Sequence, residues 1–163
     1  MGSLIALEAA ARHPDKVSAL SLIGTATPMT VGPDLLKAAE ANDQAAIDMI
    51  SIWGLGFSAE LGGSLAPGLW MHGGAQRVLQ GCAPGVLFSD LSACNSYANA
   101  LAAAAKVKVP TTVILGERDM MTPPRAGKTL AAAIADARTV MVPGAGHMLM
   151  NERPDELLAA LRG

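Results

Sequence analysis

Two short apolar runs late in the chain constrain its fold more than any other feature. Thr111-Thr112-Val113-Ile114-Leu115-Gly116 is rich in β-branched residues and is bounded by Pro110 and Gly116, which reads as a strand. Arg138 to Val142 is a second run, closed by Pro143-Gly144. Between them Thr122-Pro123-Pro124 marks a helix start, with Thr122 predicted as N-cap and Pro123 at the first helical position, and the helix reaching about Asp136. Strands joined through a helix lie parallel, with a right-handed crossover. A third run, Val17 to Ile23, is ended by Gly24 and has the continuous apolarity of a strand covered on both faces. Ahead of it, Ser3 to His13 is predicted to be a helix, with Leu4, Leu7 and Ala11 on one face and His13-Pro14-Asp15 as its stop. The expected fold class is α/β, with three parallel strands at about 17–23, 111–116 and 138–142 and helices flanking them.

The interval from Thr25 to Ala105 has a different texture. It carries helical patches and many Gly and Pro breaks, without a convincing strand. Asp34 is expected to cap a helix through Ala41, and Asp43 another to about Gly54. Gly54 to Gly68 reads as loop, followed by helices near Gln76–Gln80, Val86–Cys94 and Ser96–Ala105. The organisation is therefore a core formed by 1–24 and 106–163, interrupted by a helical insertion at 25–105. A last amphipathic helix opens at Asn151-Glu152-Arg153-Pro154, with Leu157, Leu158 and Leu161 expected inward.

Composition narrows the functional classes. At 163 residues the chain suits one domain with a core of its own. A net charge of −2 argues against a nucleic-acid partner. Mean hydropathy is high, at +0.34, but much of it comes from alanine. No stretch approaches the roughly 18 apolar residues of a membrane span. Met1-Gly2-Ser3-Leu4-Ile5-Ala6 lacks the Ser or Thr that a myristoylation start needs at position 6, and no basic region precedes the apolar run, so no membrane partner is expected. Cys82 and Cys94 have neither zinc nor redox spacing, which suggests two reduced, buried thiols in a cytoplasmic protein.

Ligands on a parallel sheet sit at the carboxyl ends of its strands. There, Gly116-Glu117-Arg118-Asp119 follows the second strand and Gly144-Ala145-Gly146-His147 the third. Adjacent parallel strands lie about 4.8 Å apart, so these loops can bring Asp119 and His147 together. A carboxylate beside an imidazole fixes its tautomer and stabilises its protonated form, which makes the imidazole a general base. Glu117 and Arg118 suit a supporting pair, and Asp90 and Asn95 suit surface or capping roles. His72-Gly73-Gly74 and Gly54-Leu55-Gly56 stand in the wrong places for an oxyanion or phosphate loop, and His72, Cys82 and Cys94 do not suggest a metal site.

The stretch Gly116-Glu117-Arg118-Asp119 with Thr122-Pro123, the Gly144-Ala145-Gly146-His147 loop before Asn151-Glu152-Arg153-Pro154, and His13-Pro14-Asp15-Lys16-Val17 together resemble the α/β-hydrolase superfamily from end to end. Its triad runs Ser, then Asp or Glu, then His. The resemblance implies Asp119 as acid and His147 as base. Met1-Gly2 matches the last two residues of the nucleophile motif G-x-S-x-G, so the serine would precede Met1, and Ser3 is already inside the helix. The chain is then expected to begin just after the nucleophile and to lack the N-terminal half of the fold, its missing partner. The backbone N–H of Met1 would donate to the oxyanion. Residues 25–105 would form a lid, with Trp53, Phe57, Trp70 and Met71 as candidate walls of a pocket for a small apolar acyl substrate: an ester, thioester, lactone or relative. No metal or organic cofactor is implied. The alternatives are a non-catalytic binding module that kept the pocket, and a fragment that complements a separate N-terminal chain.

Overall fold

The computed structural model describes residues 1–65 and 68–163. The chain opens with helix α1 (Gly2–Arg12) and strand β1 (Leu20–Ile23). Six helices follow: α2 (Pro33–Glu40), α3 (Gln44–Trp53), α4 (Phe57–Glu60), α5 (Met71–Gln80), α6 (Val86–Ser96) and α7 (Ala100–Ala104). Then come β2 (Thr111–Gly116), α8 (Pro124–Ala132), β3 (Arg138–Val142), α9 (Leu149–Glu152) and α10 (Pro154–Arg162). The strands form one parallel sheet in the order β1-β2-β3, as the strand–helix alternation requires.

The first strand is shorter than predicted. Leu20 pairs with Thr111, and its N–H donates to the Pro110 carbonyl. Pro110 has no N–H to offer, so the ladder has no further rung before Leu20. Val17 therefore packs against the core from the irregular segment ahead of the strand.

The central strand β2 is covered on both faces, which is why Val113, Ile114 and Leu115 are all apolar, whereas Ser21 of β1 and Arg138 and Thr139 of β3 are exposed. Leu22, Val113 and Leu115 face α1, α7 and α8, where they meet Leu4, Leu7, Ala10 and Leu130. Ile114 and Val142 face the other way, onto Leu149, Leu157 and Ala160 of α9 and α10. Each fully buried leucine, such as Leu7 or Leu130, is worth about 2 kcal/mol of apolar burial.

Several local expectations shift for identifiable reasons. Asp43 does cap α3, accepting from the Ala45 N–H at 2.9 Å. Asp34 does not cap α2: Pro33 takes the first helical position, so Gly32 is the cap and Asp34 lies in the first turn. Pro154 splits the C-terminal segment into α9 and α10, because its missing N–H interrupts the helix. The new helix turns Leu157 and Ala160 inward and leaves Leu158 and Leu161 about half exposed. Cys94 is buried but Cys82 is exposed, and both are free thiols.

One polar cluster ties α1 to the insertion. The Glu8 carboxylate accepts from Tyr97 Oη at 2.6 Å, Asn99 Nδ2 at 2.7 Å and Arg12 Nε at 2.6 Å. Those bonds, Tyr97's first, hold its pKa at about 2. Burial and then the Glu8 bond push the Tyr97 phenol upward. Among the described residues no helix is long and apolar enough to cross a membrane.

Candidate active site

The loops after β2 and β3 are fastened to each other before either presents a side chain. Glu117 N–H donates to the Val142 carbonyl at 3.1 Å, and Arg118 N–H to the Ala145 carbonyl at 2.8 Å. Glu117 in turn accepts the Gly144 N–H at 2.8 Å, so it braces the histidine loop. A Cβ on Gly116 would overlap the Gly146 carbonyl, so this approach requires glycine.

Asp119 sits in a turn that its own side chain closes. Its Oδ1 accepts from the N–H groups of Met121 at 2.9 Å and Thr122 at 2.7 Å. Its Oδ2 accepts from Thr122 Oγ1 at 2.6 Å and lies 2.8 Å from His147 Nδ1. Thr122 thus serves the carboxylate and not α8, whose N-cap is Pro123. The Asp119 side chain is 1% exposed and that of His147 28%. Burial alone would raise the Asp119 carboxyl, but the bonds and charge of His147, with the Thr122 bonds, outweigh it and hold it below the ordinary carboxylate value. An ionised carboxylate only accepts, so Nδ1 carries a proton, and in the neutral form of the ring Nε2 is the nitrogen with the lone pair.

The floor under this pair is Gly24, at the end of β1. Its φ is +54°, and a Cβ there would lie 3.0 Å from His147 Cε1 and 3.1 Å from Nδ1. Gly24→Ala is therefore expected to destabilise the fold by about 1–2 kcal/mol through backbone strain and to shift the His147 ring. Thermal unfolding and the imidazole NMR signals check both.

His147 and Thr122 form the polar end of a cavity of about 230 Å³. Its walls include Met1, Met29, Val31, Leu35, Trp53 and Met121. Trp53 and Met1 are thus brought to the site. Phe57 and Trp70 do not line it and are 66% and 70% exposed. Met71 is buried with Leu55 and Ala59, against Met148. Gly24, the apolar walls Met29, Val31, Leu35 and Met121, and Thr122 in its actual role escaped the sequence reading. The threonine was findable, because a hydroxyl three residues after a loop aspartate is placed to close an Asx-type turn.

This is an α/β protein with a hydrogen-bonded acid–base pair at the carboxyl edge of a parallel sheet. The chain belongs to the alpha/beta hydrolase family, whose model matches residues 1–161. It is 29% identical over 179 residues to a pimeloyl-[acyl-carrier protein] methyl ester esterase of Chromobacterium violaceum, covering 99% of this chain and 65% of that protein. A namesake from Neisseria meningitidis is 28% identical over 159 residues, covering 90% of this chain and 49% of its own length. Among solved structures, the enol-lactonase from Burkholderia xenovorans LB400 superposes with a TM-score of 0.82 at 25% identity, over 100% of this chain and 63% of that one. A thermophilic esterase gives 0.79 at 27% identity, over 98% and 60%. The chain thus spans between about half and two thirds of the length of these relatives.

Proposed function

We propose that this chain supplies the acid, the base and much of the substrate pocket of a serine-type hydrolase acting on a small ester, thioester, lactone or related acyl substrate. The observation that carries the reading is a single cavity in which His147, oriented by Asp119, shares the wall with Met1 and a set of apolar side chains. The nucleophilic serine belongs to the part of the family fold that these residues do not span, and the resemblance puts it beside Met1. His147 Nε2 takes the serine proton as the hydroxyl attacks the acyl carbon, then returns it to the leaving group. Asp119 holds the ring and balances its charge. The Met1 N–H donates to the oxyanion. Residues 25–105 act as the lid and give the pocket its Met, Val, Leu and Trp lining. Relatives named for methyl ester and enol-lactone hydrolysis support an acyl substrate.

The 163 residues alone are expected to hydrolyse nitrophenyl butyrate at close to the background rate, because base and acid without the nucleophile lack parts that act as a unit. Supplying the serine-bearing segment of the fold should restore turnover. Robust hydrolysis by the 163 residues that disappears in His147→Ala would place the nucleophile within them and overturn this assignment.

A further inference from the structure

Glu152, at the end of α9, carries a carboxylate that the proposed reaction does not use. The residue is 1% exposed, yet it is ionisable. Burying such a group is costly unless its acceptors are occupied. Its Oε2 accepts two backbone N–H groups, from Gly56 and from Gly146, each at 3.0 Å. Its Oε1 has no partner among the described residues.

The two donors come from distant parts of the chain. Gly146 immediately precedes His147. Gly56 is the N-cap of α4, 96 residues from Glu152, and lies three residues beyond Trp53 of the pocket wall. The same two segments meet again through Gly54, whose carbonyl accepts from the N–H groups of His147 at 3.0 Å and Met148 at 2.9 Å. Their backbones run so close that a Cβ on Gly56 would lie 2.7 Å from Glu152 Oε2. A Cβ on Gly146 would overlap the Gly56 nitrogen and lie 2.8 Å from Oε1. The carboxylate therefore occupies the space of two absent side chains and joins the backbones on either side of it by charge-assisted bonds.

We propose that Glu152 is a positioning residue, locking the His147 loop to the Gly54–Gly56 strip so that the base and the Trp53 wall of the pocket move as one body. The proposal rests on His147 being the base of the proposed reaction. Asp119 fixes the ring from one side through Nδ1, and Glu152 fixes the backbone that carries the ring from the other. Release of Glu152 frees Gly146 to shift, and with it the angle at which His147 meets Asp119.

The test uses the 163-residue chain and needs no turnover. In Glu152→Leu, hydrogen exchange at the Gly56 and Gly146 amides should quicken by roughly 10- to 100-fold, the loss of one charge-assisted bond each. Exchange at Leu22 and Val113 in the sheet should stay unchanged, and the His147 imidazole nitrogen signals should move. Glu152→Gln should retain slow exchange and the wild-type imidazole signals, since its amide oxygen accepts the same two bonds. Glu152→Ala removes the acceptor without placing new bulk beside either backbone. It should reproduce the leucine variant at the Gly56 and Gly146 amides and at the imidazole. If Glu152→Leu does not fold, Glu152→Ala decides. Unchanged exchange at Gly146, or a loss of stability with the imidazole signals unmoved, overturns the proposal. Failure of the hydrolase reading would look different: ester hydrolysis by the serine-bearing protein would survive His147→Ala, whatever the exchange rates did.

Discussion

In the serine-bearing hydrolase, His147→Ala is expected to lower kcat for ester hydrolysis by about 10⁴- to 10⁶-fold while KM changes little. The reason is geometric. Asp119, the other carboxylate of the pair, is 1% exposed at its side chain and stays held by the Met121 and Thr122 N–H groups and the Thr122 hydroxyl, so it is fixed in its own turn and cannot swing into the place of the ring. Removing the imidazole leaves the serine hydroxyl without a proton acceptor and the leaving group without a donor. The apolar wall of Met29, Val31, Leu35 and Trp53 is untouched, so substrate binding persists. Steady-state kinetics with nitrophenyl esters of short acyl chains check the split. A loss smaller than about 100-fold would mean that another group takes the proton.

Asp119→Asn is the second large effect, expected at about 10⁴-fold in kcat. The asparagine oxygen can still accept from the Met121 and Thr122 N–H groups, so the turn survives. Its NH₂ then faces His147 Nδ1, and two donors cannot meet there. The imidazole must move its proton to Nε2, which removes the lone pair that the serine needs. Asp119 also links the site to acid stability. Its pKa is depressed on folding, so the stability it contributes is fully present above the unfolded value of about 3.9 and is lost as the pH falls through the lower folded value. Urea unfolding of wild type and Asp119→Asn at a series of pH values should begin to converge below about pH 4 for this reason. Parallel curves down to lower pH would contradict the assignment.

How much of this was readable without coordinates depends on the kind of signal. The sheet was legible because β2 is apolar on both faces from Val113 to Leu115, β3 ends in the apolar run Val140 to Val142, and the helix between them begins at a Thr-Pro-Pro signal. The pairing of Asp119 with His147 followed from parallel-strand spacing, since both lie in loops at the same edge. Pocket walls were harder. Trp53, Phe57, Trp70 and Met71 are all large and apolar, and nothing in their spacing separates the cavity wall (Trp53) from the surface (Phe57, Trp70) or a small apolar cluster with Leu55 and Ala59 (Met71). Those fates depend on how the short helices pack on each other, which is tertiary information. Gly24 and Glu152 were illegible for a related reason. One is defined by a ring that lies on it and the other by two backbones that converge on it, and each partner is far away in sequence.

The register of the sheet has a consequence for the order in which the site assembles. Thr112 pairs with Arg138 across one helix, but Leu20 pairs with Thr111 across the entire helical interval. Closing the longer loop costs about 1 kcal/mol more chain entropy, and the local unit has the kinetic advantage. The unit β2–α8–β3 with the loop that follows it carries both Asp119 and His147, so the acid and base belong to the piece with the shorter closure. Gly24 arrives with β1, the strand whose pairing spans the longest stretch of chain. The pairing of acid and base thus lies within one local strand–helix–strand unit and its following loop, whereas the groups that confine the ring, Gly24 and the Gly54–Gly56 strip, reach it across the longest closure in the chain.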